Sequence, residues 1–216
     1  AFDLAPGLIE ATKLGRRVSQ LYLDPLSANF IIRSISERKL MKALHMFQVI
    51  NQCTEMKPLP YVKKDEYDEI EEKLLDEDID VNQHSLDYYE YLKAFKMSLV
   101  FEDWINEATE VQIMEKYGIT PGGLHAKVQN AEWLLYATSE LSRLLRKLRI
   151  ANNVNKLRLR LKHGVKEELL PLVKVKGIGR IRARKLFNNG IKTTRALKRY
   201  KSKVEKLIGK GVKLQT

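Results

Sequence analysis

Residues 169–186 read Leu-Leu-Pro-Leu-Val-Lys-Val-Lys-Gly-Ile-Gly-Arg-Ile-Arg-Ala-Arg-Lys-Leu, an order of residue types that suits the gripping of a phosphate. Gly177 and Gly179 let the backbone turn sharply and approach an anion with no Cβ in the way. A helix starting at Arg180 would aim its unpaired first N–H groups at that anion. Ile178 is placed to pin the turn to a core, and Ala183 to let two helices come close. Lys174, Lys176, Arg180, Arg182, Arg184 and Lys185 supply six cations within twelve residues. They can reach neighbouring phosphates without reading base sequence. A structural helical hairpin with a basic surface would use the same residues.

The pattern resembles a helix–hairpin–helix, a DNA-binding module. A second candidate is Trp133. On a helix opened by Thr120-Pro121, with Thr120 as N-cap and Pro121 at the first position, ~100° per residue gathers Leu124, Val128, Ala131, Leu135 and Thr138 on one face. Trp133 falls opposite them, in line with Ala126, Gln129, Asn130, Ala137 and Glu140 and near Tyr136. An indole there can stack on a nucleobase of any identity. A second buried face would account for it equally well.

Other chemistry is poorly supplied. His45, His84, His125 and His163 show no ligand spacing, and Cys53 is the single cysteine, so neither a disulfide nor a multi-cysteine zinc site is expected. No metal site is expected in the acidic run from Asp65 to Asp80, which reads as a solvated face. Glycosylases built on helix–hairpin–helix modules need an aspartate after the hairpin, and no Asp follows Asp103. Glu37-Arg38-Lys39 matches the start of a nuclease motif whose later Asp position is Ala43. Gly190-Ile191-Lys192-Thr193 lacks the spacing and the strand of a P-loop. No catalytic residue is therefore expected.

The elements that must position the two candidates are helical. Leu8–Thr12 reads as a short strand, and 12–18 as a turn leading into a helix. From Pro25, Phe30, Ile31, Ile35, Leu40, Leu44, Phe47 and Ile50 return at helical spacing until Pro58 and Pro60 stop the run. Asp65–Asp80 predicts an acidic amphipathic helix with Ile70, Leu74 and Leu75 on one side. Ser85 is placed to cap a helix carrying Tyr88, Tyr89, Leu92, Phe95, Leu99 and Trp104. A short helix from Thr109 ends at Gly118, and the Thr120 helix runs to about Leu148. Asn152-Asn153 are expected to break the chain before a basic stretch, Val154–Lys162, closed by Gly164. Glu167–Val175 and Arg180–Asn188 flank the Gly-Ile-Gly turn. The expected fold class is mainly α.

Charge points the same way. Of a net +12, residues 1–60 carry +3, residues 61–119 carry −11 and residues 120–216 carry +20. Segregation on this scale suggests that the C-terminal part meets a polyanion, where a lysine-rich thermophile surface explains only the total. With 44% hydrophobic and 31% charged residues the chain can bury a core, and it offers no apolar run of membrane-spanning length. Residues 1–6 show neither the basic start nor the apolar stretch of a signal peptide and lack an initiator Met, so a segment of a longer, cytoplasmic protein is expected.

Several stretches together resemble the Hjm/HelQ group of superfamily-two DNA helicases. They are residues 14–25 (Leu-Gly-Arg-Arg-Val-Ser-Gln-Leu-Tyr-Leu-Asp-Pro), 54–59 (Thr-Glu-Met-Lys-Pro-Leu), 104–107 (Trp-Ile-Asn-Glu), 115–124 (Glu-Lys-Tyr-Gly-Ile-Thr-Pro-Gly-Gly-Leu), 130–134 (Asn-Ala-Glu-Trp-Leu) and the hairpin through Ile191. The resemblance implies a winged-helix remnant at 1–25, a helical ratchet bundle at 26–165 and a helix–hairpin–helix-like terminal domain at 166–216. It implies RecA-like motor domains outside this chain, using ATP and magnesium, with no cofactor in the segment itself. It implies a 3′ to 5′ helicase acting on single-stranded or forked DNA in replication-fork repair. Trp133 matches the family's base-stacking tryptophan. A family arginine falls on Ala126, where His125 or Lys127 could substitute. The resemblance also makes 180–184 an arginine-rich motif that binds emerging strand and restrains unwinding. The expected DNA contacts are thus Trp133, Lys127, Lys176, Gly177, Ile178, Gly179, Arg180, Arg182, Arg184 and Lys185. A stand-alone DNA-binding scaffold without a motor, or the helical platform of an RNA helicase, are the alternatives.

Overall fold

A computed structural model of the chain describes residues 2–5, 8–37, 42–77 and 87–209. Phe2–Ala5 (β1) and Leu8–Ala11 (β2) pair antiparallel, with Phe2 opposite Ala11 and Leu4 opposite Ile9. The Thr12 hydroxyl then accepts from the Gly15 N–H at 3.0 Å and starts α1, Lys13–Gln20. A turn with Tyr22 at positive φ leads to α2, Pro25–Glu37. Asp24 caps that helix, its carboxylate accepting from the Leu26 and Ser27 N–H groups at 2.7 and 3.2 Å, while Pro25 occupies a position where its missing donor costs nothing.

The periodic run from Pro25 divides into α2 and α3, Ala43–Asn51. A 3-10 turn, Thr54–Met56, follows it and gives way to an irregular strap, residues 57–64. Next come α4 (Tyr67–Asp76), α5 (Tyr88–Ile105) and α6 (Glu110–Tyr117). Ile70 and Leu74 of α4 are buried as expected, but Leu75 is exposed, because at ~100° per residue it lies well off the Ile70–Leu74 line. Ser85, His84 and residues 78–80 lie outside the described residues, as do Arg38 and Lys39. Thr109 and Gln112 form a reciprocal capping box at the start of α6, and left-handed Gly118 ends it.

The long helix, α7 (Pro121–Leu144), has the expected Thr120 cap and Pro121. It stops short of Leu148. Arg146 takes a positive φ, and the Arg146 and Lys147 N–H groups turn back to the carbonyls of Arg143 and Ser142 at 2.9 and 2.8 Å. The Lys147 ammonium then donates to the Ile35 and Ser36 carbonyls at the end of α2. The expected break at Asn152-Asn153 is absent. Both lie exposed within α8, Leu148–His163, because Ile150, Ala151, Val154, Leu157 and Leu161 form an unbroken buried row on its other side. A 3-10 turn, Glu167–Leu169, runs into α9, Leu170–Val173. The chain continues with α10 (Arg180–Asn188), α11 (Thr194–Arg199) and α12 (Lys201–Ile208).

Two hydrophobic clusters fill the molecule. The larger runs from Leu21 to Leu161, with α5 at its centre, packed by α3, α4, α6 and α8, and with α7 laid along α8. Among its buried polar groups, the Asn51 amide nitrogen donates to the Ser98 hydroxyl at 2.9 Å and Gln48 donates to the Tyr91 carbonyl at 3.3 Å, while the Asn51 Oδ1 has no partner among the described residues. Cys53 is buried in the same cluster, and burial pushes its thiol up to about 12. The smaller cluster, Val165 to Val204, gathers Leu169, Leu172, Ile178, Ala183, Leu186, Ile191 and Leu197. In it Thr193 caps α11 by accepting from the Ala196 N–H at 3.1 Å, and Gly190 turns at φ 85°. These contacts give Gly190 and Thr193 structural roles, and Ile191 is buried in the cluster. Among the described residues no helix is long and apolar enough to cross a membrane, and no group of three His, Cys, Asp or Glu side chains could hold a metal.

Candidate nucleic-acid interface

The Gly-Ile-Gly turn joins α9 to α10. Gly177 sits at φ 89°, which favours glycine. Ile178 is buried in the smaller cluster, and the Ile178 N–H donates to the Val175 carbonyl at 3.0 Å. Gly179 is extended and precedes Arg180 as the N-cap. Having no side chain, it leaves the first N–H groups of α10 uncapped, and a Cβ there would meet only open space. Ala183 is fully buried where α10 meets α9. The turn thus presents uncapped donors and the positive end of a helix dipole on an accessible edge.

The six cations divide into two groups. Lys174, Lys176, Arg182 and Lys185 are exposed, and Arg182 also donates to the Gly177 carbonyl at 2.7 Å, bracing the turn. Arg180 and Arg184 face the larger cluster. The Arg180 guanidinium lies 4.3 Å from the Trp104 ring centroid and donates to the Ala108 carbonyl at 2.8 Å. Arg184 donates to Glu107 through both Nε (2.8 Å) and an amino nitrogen, and to Glu168 at 2.8 Å. Trp104, buried, donates to the Leu161 carbonyl at 2.8 Å, and left-handed Gly164 packs against its indole. Together these contacts latch the smaller cluster to the larger one.

The latch has a pH dependence of definite sign. Burial pushes the Glu107 carboxyl up, but the Arg184 hydrogen bond and the Lys166 N–H outweigh it and hold that carboxyl below the ordinary carboxylate range. Arg184 likewise holds Glu168 down. A carboxylate whose pKa is depressed in the folded state adds stability above its unfolded value, about 4.3, and loses it as pH falls through the folded value. The Trp104 indole N–H resonance should therefore keep its docked position at neutral pH and shift below about pH 4. Glu107→Gln should blunt that transition, and a resonance unmoved by acid in the wild type would contradict the latch.

On α7 the expected apolar face, Leu124, Val128, Ala131, Leu135 and Thr138, is buried. A second face, Leu134, Ala137 and Leu141, is buried too, so Ala137 does not share the exposure expected of Trp133's side. Trp133 itself is half-buried. It packs at the edge of the larger cluster, and its Nε1–H donates to the Leu21 carbonyl at 3.1 Å. Glu140, two turns on, binds Arg17 of α1. Ala126, Gln129 and Tyr136 stay exposed beside the indole, giving a solvent-facing row along the helix.

Neither neighbour of Ala126 has a free side chain. His125 lies 3.0 Å from Glu110, and its ring meets Trp104 edge-on at 6.1 Å. The half-buried Lys127 ammonium donates to the Met56 and Pro58 carbonyls, and burial lowers its pKa. Asn130 donates to the Glu55 carbonyl at 3.2 Å. These three bonds fasten the 3-10 turn and the start of the strap beside the Trp133 row. Sequence reasoning treated the strap only as a stop between helices; the available signal was three lysines grouped around Tyr61.

Residues 44–164 match the family described as archaeal helicase, domain 4. The chain is 42% identical over 84% of its length to an ATP-dependent DNA helicase Hel308 from Methanococcus vannielii, covering 25% of that protein. It is 39% identical over 93% of its length to the Hel308 helicase of Methanocaldococcus jannaschii, covering 16% of it, and 34% identical over 95% to that of Pyrococcus abyssi, covering 29%. The chain therefore spans well under a third of these relatives' length. With the matching model extending from α3 to the glycine that ends α8, more than half the chain, this protein belongs to the archaeal helicase domain 4 family.

Proposed function

We propose that this chain is the DNA-gripping C-terminal part of an ATP-dependent helicase that acts in the 3′ to 5′ direction on single-stranded or forked DNA during replication-fork repair. Residues 1–25 belong to a winged helix, 26–165 form a ratchet bundle and 166–216 a helix–hairpin–helix-like domain. ATP and magnesium act on RecA-like motor domains outside this chain. The observation that carries the reading is the partly buried Trp133 set in the solvent-facing row of α7. Its indole edge is pinned to the Leu21 carbonyl while part of the side chain stays accessible, and the exposed Ala126, Gln129 and Asn130 beside it are small or polar. The hairpin edge, with Lys174, Lys176, Arg182 and Lys185 exposed around uncapped α10 donors, suits the backbone of the strand as it leaves. Arg180 and Arg184 act there by holding the hairpin in place.

Binding of the purified chain to oligothymidine should be independent of sequence, with log K falling ~0.7 per log salt for each phosphate neutralised on a single strand. The chain alone should hydrolyse no ATP. An affinity indifferent to salt, or DNA-stimulated ATP turnover by the pure chain, would refute this assignment.

A further inference from the structure

The strap concentrates unpaired positive charge where the sequence is most acidic. Residues 61–119 are net −11, yet Lys57, Lys63 and Lys64 are exposed and form no ion pair among the described residues. The nearby carboxylates are engaged elsewhere. Glu66 takes the buried Lys96 ammonium at 2.5 Å and the Lys63 N–H at 2.9 Å, Glu90 pairs with Lys93, and Glu55 accepts from the Asp24 N–H and the Ser27 hydroxyl. Asp65 is exposed beside the lysines and leaves them in excess.

Between these lysines stands Tyr61, 76% exposed, with Tyr89 also at the surface. The Lys93 ammonium lies 5.7 and 5.2 Å from the two ring centroids. Tyr61 is a large aromatic in water on a segment that is otherwise firmly anchored. Lys96, 1% exposed, donates to the Tyr61 carbonyl at 2.8 Å, and the Tyr89 hydroxyl donates to the Val62 carbonyl at 3.1 Å. Leu59 and Val62 are buried, and Lys127 binds the carbonyls of Met56 and Pro58 from α7. Burying an ammonium is costly unless it is well paired, and here that charge fixes the backbone directly under the exposed ring. On α7, Lys127 and Asn130 lie about 120° and 60° round from Trp133, so the strap borders the proposed base-stacking row.

We propose that the strap is a second single-strand subsite, in which a base stacks on Tyr61 while flanking phosphates meet Lys57, Lys63 and Lys64. Rigid aromatics interleaved with lysines are how single strands are held without sequence preference. The inference rests on the single-strand reading of α7 and extends the strand's path beyond Trp133 onto the strap.

The test is oligothymidine affinity of the full chain, measured by anisotropy across a salt series. Tyr61→Ala should weaken binding about tenfold, the effect of losing one stacked base, and Tyr61→Trp should restore it. A Lys57→Gln, Lys63→Gln, Lys64→Gln variant should reduce the salt slope by about 2. All substituted side chains are exposed, so thermal unfolding should be unchanged. If Tyr61→Ala binds like wild type and the triple variant keeps the full slope while Trp133→Ala is impaired, the strap subsite is wrong and the α7 reading stands. If the wild-type chain binds no single strand, both fall.

Discussion

Trp133→Ala should weaken oligothymidine binding by about tenfold or more, since one base–aromatic stack is typically worth ~1–3 kcal/mol. Because the indole neutralises no phosphate, the salt slope should stay at the wild-type value. That separates its loss from the loss of a lysine, which lowers the slope. The variant also gives up the Nε1–H bond to the Leu21 carbonyl and some packing at the cluster edge, a stability cost of about 1–2 kcal/mol that should leave the bundle folded. Trp133→Phe removes the same hydrogen bond but keeps a ring, so it should retain most of the affinity. Equal affinity in wild type and Trp133→Ala would show that the indole serves only to join α7 to the turn after α1.

Gly164→Ala should be the most destabilising single-methyl change at the junction of the two clusters. Its φ of 59° disfavours any side chain, and an added Cβ would lie 2.5 Å from Cε2 of Trp104. A left-handed alanine costs ~1–2 kcal/mol and overpacking a further ~1–3 kcal/mol, so about 3 kcal/mol in all is expected. For a chain of this size that is roughly 6–12 °C in Tm. Gly190→Ala is the control: φ is 85°, but nothing lies within 4 Å of the added carbon, so only the backbone cost should appear. Trp104 carries the Arg180 contact on one face and binds Leu161 through its N–H. Displacing it should therefore also loosen the hairpin and weaken DNA binding. Matching melting temperatures for the two alanine variants would mean that the tight approach to Trp104 is relieved at little cost.

Most helices between Pro25 and Asn188, the Thr120 cap and the Gly-Ile-Gly turn were legible along the chain because each rests on short-range chemistry, whereas α11, α12 and the Thr193 cap were not read from it. Thr12, Thr109, Thr120 and Thr193 each accept from an N–H three residues on; Gly118 and Gly177 turn where backbone freedom is required, and Gly164 turns where Trp104 also leaves no room for a Cβ. The apolar face of α7 followed from its period. The failures have tertiary origins. The turn after Leu144 uses Arg146 at positive φ, with neither glycine nor proline to announce it, and its lysine is paid for by carbonyls of α2, over a hundred residues away. Asn152 and Asn153 suggested a break because their intrinsic preference is weak, but the buried row on the opposite side of α8 outweighed it.

Composition determined that the C-terminal part is basic, and residue order determined where a helix could begin beside two glycines. Which cations face solvent was decided only by tertiary contacts. Arg182 and Arg184 are two residues apart, yet one is exposed and the other is bound to Glu107, seventy-seven positions back. The same holds for Lys127, turned onto the strap, and for Trp133, whose edge meets the Leu21 carbonyl. The physical reason is that a charge's availability depends on which opposite charges and carbonyls the fold brings within about 3 Å, and those partners lie far away in sequence.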